Sequence, residues 1–450
     1  AVTMRTVMYA AGPYAVPNAR VRSHSVFTNH PYSCAFRGFG APQAAYAMEC
    51  QMDELAHRLG LDHVEVRRRN MLRAGDRPIT GQVMLESRGL GLEECLDRVL
   101  ERMEWSSRPV ALGTGPIRRG RGLGLFLYGT GVPMLFEGAS CFATLQLDGT
   151  LNINVGSTEM GQGLTTALAQ IASELLGIPL DDVLVDISDT ALAPDSGPTV
   201  GSRSVVLVGN AVTDACVRLR ERLLDTAARY FFQTDVRNLE IGGGRIFESG
   251  KPERSRTFAE VVLKAFNTQV PLSVVGSWYP PQATFRVEDG QGNPCHAYSF
   301  GAHGVEVEVD VETGSVSVTR SVLACDVGKA INPVNVEGQM EGGAAQAIGW
   351  SVMEESILER GVMKNAAFHN YLIPTSRDLP LLESIIVEHP NELGPFGAKG
   401  VGEPPIVGGA PAIRNAVRDA LGFPINAIPL TARQVLLAIR TREQCQGGER

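Results

Sequence analysis

The 450-residue sequence contains no C-x-x-C pair; its eight cysteines stand at positions 34, 50, 95, 141, 216, 295, 325 and 445. That spacing excludes a disulfide framework and an iron–sulfur ligand set, and it reads as buried thiols in a reducing, cytoplasmic compartment. The eight histidines show no H-x-x-x-H or similar metal spacing, and His296 and His303 read as structural or exposed. No apolar run reaches the length of a membrane span, and the first residues lack a secretory pattern. A net charge of −8 argues against nucleic acid as the main partner. What is left is a globular chain too long for one simple core, so two or more domains are expected.

What the sequence does have is glycine in short, patterned loops. Cys141 begins a strand, Asp148-Gly149 forms a hairpin turn, and Leu151, Ile153 and Val155 alternate along the return strand. The loop Gly156-Ser157-Thr158-Glu159-Met160-Gly161-Gln162-Gly163 follows. It leads into a helix whose face carries Leu164, Leu168, Ile171 and Leu175, ended by Gly177. Glycines that expose amides at a helix N-terminus make an anion site, and Gln162 adds a group that donates and accepts. A tight strand-to-helix turn without a ligand explains the same residues. The layout then returns. Val305, Val307 and Val309 lead into a Glu312-Thr313-Gly314 turn, Val316 and Val318 carry the return strand, and the loop Gly338-Gln339-Met340-Glu341-Gly342-Gly343 precedes a helix over 344–350. Two hairpins with matching loops predict two similar lobes, either gripping one large polar cofactor or merely duplicated.

Two further loops carry chemistry. In Gly400-Val401-Gly402-Glu403-Pro404-Pro405, proline restricts Glu403 to an extended conformation, and a carboxylate among glycines is a candidate general base. An exposed, solvated loop glutamate is the alternative. In Phe36-Arg37-Gly38-Phe39-Gly40-Ala41-Pro42, two aromatics and an arginine flank a glycine turn, and Pro42 suits the first turn of a helix faced by Met48, Met52, Leu55 and Leu59. These residues line a flat pocket, or else the aromatics are core and Arg37 pairs with a carboxylate.

Together and in this order, the four loops resemble the molybdopterin-binding large subunit of the xanthine dehydrogenase/aldehyde oxidase family, over nearly the whole chain. The resemblance implies an α+β fold, a molybdenum-cofactor-binding domain with two similar lobes of sheet plus helices. It makes Glu403 the catalytic base and Arg5 and Phe39 substrate-binding residues. It assigns Arg37, Gly38, Gly161, Gln162, Val200, Gly201, Ser202, Gln339, Lys399, Gly400 and Val401 to the cofactor. Cys34 lies close to the Arg37 turn, as a packed thiol or a group approaching the cofactor. The cofactor implied is a molybdenum pyranopterin with no direct protein ligand to the metal, and a split bacterial arrangement favours its cytosine dinucleotide form. The activity implied is hydroxylation, with water as oxygen source, of an electron-poor carbon in a purine or other N-heterocycle. An aldehyde oxidoreductase, an aromatic acyl-CoA reductase and a non-catalytic cofactor-holding subunit are the alternatives.

The family pattern is also incomplete. A further glycine- and phenylalanine-rich cofactor loop, a nearby glutamine and a second substrate-contacting glutamate are not in this sequence. Gly242-Gly243-Gly244 comes in the wrong order to be that loop and reads as a hairpin or surface turn. Beginning at Ala1, in a helical stretch over 2–9, the chain reads as the C-terminal part of a composite site. A separate polypeptide or the other product of a cleavage would carry the rest. The resemblance places 2Fe-2S clusters and FAD on partner chains. Residues 1–95 then read as the end of a first molybdenum-cofactor-binding domain, 96–124 as a connecting segment and 125–450 as a second such domain. A long helix follows Ser204, with Val208, Val212, Cys216, Leu219 and Leu223 at helical spacing. A last helix starts around Pro429 and runs to Ile439, before a frayed polar tail over 441–450.

Overall fold

The computed structural model describes residues 2–32, 35–107, 115–133, 137–187 and 189–447. In chain order, helices α1 (Val2–Met8) and α2 (Ala41–Leu59) precede the long strand β1 (Ile117–Gly129), the hairpin β2 (Ala139–Leu145) and β3 (Leu151–Val155), and helix α3 (Leu164–Leu176). Next come β4 (Val183–Ile187), α4 (Ser204–Ala227), β5 (Ser273–Trp278), and the hairpin β6 (Tyr298–Asp310) and β7 (Val316–Asp326). Helix α5 (Pro333–Val352), strand β8 (Leu382–Val387), the short α6 (Pro404–Val407) and α7 (Gly409–Leu421) complete the elements that place the site.

The expected duplication is visible in the topology. One sheet has the order β1-β6-β7-β8 and the other β4-β3-β2-β5. In each, an antiparallel hairpin feeds a helix, and the helix returns the chain to a strand parallel to the hairpin's second member. The runs are β2-β3-α3-β4 and β6-β7-α5-β8. A second long helix then covers each sheet, α4 on β2 and β5, α7 on β1 and β6. Alternation explains the inner faces: Leu151, Ile153 and Val155 are wholly buried while Asn152 and Asn154 between them are half-buried. Both helices sit close because the strand beneath has glycine where they cross. A Cβ at Gly276 would lie 2.1 Å from the Ala211 carbonyl oxygen, and one at Gly122 would lie 2.1 Å from that of Ala412.

Several local expectations are corrected. The glycine run 338–343 is not a loop: it lies inside α5, capped by the Asn332 side chain, which accepts from the Asn335 amide at 3.0 Å, with Pro333 in the first turn. Gly343 serves close approach, since a Cβ there would meet the Pro405 Cβ at 2.4 Å. Residues 117–124 of the expected connecting segment form the first part of β1, and Leu92–Arg102 is helical. The last helix runs over Ala432–Gly447, through most of the stretch expected to fray. Gly242-Gly243-Gly244 does turn a hairpin, between Leu239–Gly242 and Arg245–Glu248. His303 is buried against the Ser321 hydroxyl at 2.8 Å, and its ring is pushed down to about 4 by burial. No helix among the described residues is long and apolar enough to cross a membrane.

Candidate active site

The two lobes face each other across a cavity of about 630 Å³. Its walls are the turn before α2, the loops entering α3, α4 and α6, and the first half of α5. Glu403, Arg37, Phe39, Gly161, Gln162, Val200, Ser202, Gln339, Lys399, Gly400 and Val401 all border it. Of the assigned residues, Arg5, Gly38 and Gly201 do not, and Cys34 lies outside the described residues.

Glu403 stands immediately before α6, half-buried. It is not extended, as a residue before proline ordinarily is, but helical (φ −106°, ψ −30°). Ser202, from the matching loop of the other lobe, holds it there. The Ser202 hydroxyl oxygen accepts from the Glu403 amide at 2.9 Å and donates to its Oε2 at 3.1 Å. The sequence carries a trace of this pairing, because Val200-Gly201-Ser202 and Val401-Gly402-Glu403 occupy corresponding places before α4 and α6. Two similar loops thus meet, one offering a hydroxyl where the other offers a carboxylate.

Arg37 ties the walls together. Its Nε donates to the Gly402 carbonyl, Nη1 to the Gln346 side chain at 3.0 Å, and Nη2 to the Gln339 carbonyl and side-chain oxygens at 3.0 and 3.1 Å. Burial pulls its guanidinium down to about 10, while the charge of Glu403 works in the opposite direction. Gln346 was not anticipated, although it lies two helical turns beyond Gln339 and hence on the same face. The Gln339 oxygen expected to meet a ligand is therefore already engaged.

Arg5 is fully buried rather than at the pocket surface. Its guanidinium donates to Tyr9 Oη at 2.7 Å, to the Gly129 carbonyl at 3.1 Å and to the Gly131 carbonyl. It also lies over the rings of Phe39 and Tyr128, 4.5 and 4.8 Å from their centroids. Burial opposes its charge, but Tyr9, Tyr128 and Glu403 together hold its pKa above the ordinary value. Lys399 likewise turns its ammonium away, into a buried pair with Asp326 at 2.5 Å and onto the Gly89 carbonyl at 3.1 Å.

The loop entering α3 also departs from expectation. Its glycine amides are not open to an external anion, because Glu159 fills that place. Oε1 accepts from Gly161 and Gly163 at 3.0 and 2.9 Å, and Oε2 from the Thr165 amide at 3.1 Å. A carboxylate at a helix N-terminus satisfies the same donors as a bound anion. Gln162 folds back as well, its Nε2 donating to the Thr158 carbonyl at 3.0 Å and its Oε1 accepting from the Met160 amide at 2.5 Å. Desolvation works against the Glu159 carboxylate, but the loop amides outweigh it and hold its pKa below the ordinary glutamate value of 4.5. Its contribution to stability is thus complete above that value and is lost as the pH falls through the depressed one. Glu159→Gln should lower the denaturation midpoint at neutral pH, with the gap from the unsubstituted protein closing as the pH falls below about 4. A gap independent of pH would show that the carboxylate's charge contributes nothing.

The unclaimed donors lie elsewhere in the cavity wall. Among the described residues, no internal acceptor takes the amide N–H groups of Val200, Ser202, Gly400, Val401 or Gly402. All five residues border the cavity. Amides presented in this way suit an oxygen-rich anionic group. No cluster of three or more His, Cys, Asp or Glu among the described residues could hold a metal ion directly.

Residues 98–380 and 1–71 each match a molybdopterin cofactor-binding domain. The chain is similar to a xanthine dehydrogenase molybdenum-binding subunit of Escherichia coli O157:H7, at 34% identity over 423 residues, covering 92% of this chain and 54% of that one. Among solved structures, the aldehyde oxidoreductase from Desulfovibrio desulfuricans superimposes with a TM-score of 0.81 at 32% identity, over 97% of this chain and 45% of that one. Quinoline 2-oxidoreductase from Pseudomonas putida 86 gives 0.84 at 26% identity, over 97% and 57%. The chain thus spans about half the length of the relatives it matches.

Proposed function

The chain belongs to the molybdopterin cofactor-binding family of xanthine dehydrogenase and aldehyde oxidoreductase subunits, and from that premise we propose that it supplies the base and half of the cofactor pocket of a molybdenum hydroxylase acting on an N-heterocycle. The observation that carries the reading is one carboxylate, Glu403, set at a cavity whose wall presents unclaimed amides from both lobes. Those donors, with the Arg37-braced wall, fit a molybdenum pyranopterin held by second-sphere contacts, which the cytosine dinucleotide form would extend. When bound, that group supplies an activated oxygen nucleophile and takes up two electrons.

The chain's own residues then have distinct tasks. Glu403 receives a proton at its carboxylate, and Ser202 fixes the orientation of that carboxylate. Arg37 holds the turn carrying Phe39 against α5 and the Glu403 loop, which keeps the pocket wall and the base in register. Phe39, buried beneath the pocket with Arg5 on its ring, gives a flat floor for a planar substrate. Residues 1–95 and the stretch from β1 onward act as portions of two cofactor-binding domains, completed by a chain carrying the remaining part of the large subunit. An iron–sulfur subunit and an FAD subunit carry electrons away, in a cytoplasmic complex.

Arg5 bears on the substrate. An arginine already bonded to two carbonyls and a tyrosine is poorly placed to hold a polar purine. The likeness to quinoline 2-oxidoreductase favours a less polar heterocycle. The same burial of Arg5, with the likeness to aldehyde oxidoreductase, supports a second reading in which the substrate is an aldehyde. The complex that co-purifies with this chain should contain molybdenum and turn over quinoline with a kcat/KM at least about tenfold above that for hypoxanthine or benzaldehyde. A benzaldehyde preference selects the second reading. Molybdenum without turnover of any of the three would leave the chain a cofactor carrier.

A further inference from the structure

Residues Pro17 to Tyr32, between α1 and α2, belong to neither helix nor strand, and every one of them is exposed. Among the described residues, no backbone group of this arm bonds to another backbone group. Its side-chain tethers are few: the Ser25 hydroxyl meets that of Thr3, and the Thr28 hydroxyl accepts from the His30 amide at 3.3 Å. A Cβ at Gly361 would lie 2.6 Å from the Asn29 carbonyl oxygen, so the tip of a small hairpin, Leu358–Glu359 with Val362–Met363, abuts the arm. Holding so long a segment in one path costs conformational entropy, and these contacts do little to offset it. Val21, Val26 and Phe27 are strand-favouring side chains left in solvent, and between Pro17 and Pro31 every residue keeps its backbone donor.

An unpaired run of amides and carbonyls is a template for another strand. The surroundings indicate which one. Beyond the arm, Ala35 and Phe36 border the cavity that Glu403 also borders, so the exposed surface runs on into the cavity rim. Under the start of the arm lies a groove of about 730 Å³, with Val7, Met8, Val16, Val21 and Ile79 in its walls. Phe368, Leu372 and Ile373, which follow the hairpin, form a second exposed apolar patch. The chain spans 54% of the length of a relative that it matches over 92% of its own, so a portion of comparable size has to pack against it. A second copy of this chain suits the arm poorly. Arg20 and Arg22 would gather against their own copies, and no acidic residue precedes Glu49 to offset them. We propose that residues 20–28 pair as a β-strand with a sheet edge in the part of the large subunit outside residues 1–450, and that the Phe368 patch seats on that same part. The proposal rests on reading this chain as one portion of a composite molybdenum hydroxylase subunit.

The test uses the intact co-purified complex. Amides of residues 20–28 should exchange with deuterium at least about a hundredfold more slowly than those of an unstructured peptide. The photoreactive residue p-benzoylphenylalanine is then placed at position 27 or 368, both fully exposed in this chain and so able to take the larger ring. Irradiation should join each position to a segment outside residues 1–450, in the same polypeptide or another, and mass spectrometry should match that segment to the part of the relatives this chain does not span. Exchange at the unstructured rate would overturn the proposal. So would the absence of a crosslink, or a crosslink to a second copy of residues 1–450 or to an iron–sulfur or FAD subunit. If the molybdenum hydroxylase reading is wrong, protection and crosslink persist in a complex without molybdenum. Molybdenum and turnover in a complex whose arm exchanges freely strike this proposal alone.

Discussion

Glu403→Gln should fold, retain its molybdenum and lose turnover by about 10²–10⁴-fold, the range expected for removing a general base. The substitution is nearly isosteric. The glutamine oxygen can still accept from Ser202, and the backbone amide still donates to the Ser202 hydroxyl, so the loop before α6 keeps its geometry. What disappears is the capacity to take up a proton. If the carboxylate acts in the transition state alone, kcat and kcat/KM fall together with KM unchanged. Steady-state kinetics with the preferred substrate, alongside metal analysis, measure this. Turnover within a few-fold of the unsubstituted complex would remove Glu403 from the chemistry.

The second large effect concerns stability. Lys399 and Asp326 are both wholly buried, and Asp326 also accepts from the amides of Gly91, Gly328 and His389 at 3.0, 3.1 and 3.2 Å. One carboxylate thus gathers the end of β7, two further loops and the start of the loop that carries Glu403. Lys399→Met leaves that carboxylate buried without its counter-charge, which costs about 3–5 kcal/mol. Denaturation should show a loss of this size, and Lys399→Met combined with Asp326→Asn should recover part of it, since the stranded charge is gone. A cofactor contact by the ammonium predicts the opposite pattern: molybdenum lost while the denaturation midpoint stays in place.

The legible parts of the molecule were those written in periodicity. Alternate burial of Leu151, Ile153 and Val155, and of Val305, Val307 and Val309, placed both hairpins, and Gly177 stopped α3 where expected. Glycine was the ambiguous signal. The run Gly338 to Gly343 has the composition of a loop, yet Gly343 is needed where α5 touches α6, a demand set by a residue more than sixty positions away. The connecting segment failed similarly: Gly120, Gly122 and Gly124 are strand residues kept bare because the helix α7 region lies against them.

In the site, the loops were legible and their internal bonds were not. Nothing local marks Glu159 as the group that takes the α3 amides, because the choice between an internal and an external carboxylate is one of geometry. Arg5 was placed by spacing, but its direction depends on Gly129 and Gly131, whose carbonyls β1 brings to it. Ser202 did leave a sequence signal, in the repeated Val-Gly step before α4 and α6.

Anomalous diffraction at the molybdenum edge, from crystals of the whole co-purified assembly, tests the central claim most directly. The account predicts one strong peak inside the cavity bounded by Gln162, Gln339 and Glu403, with the Glu403 side chain directed toward it. A peak outside that cavity, or side chains from another subunit filling the space, would contradict it.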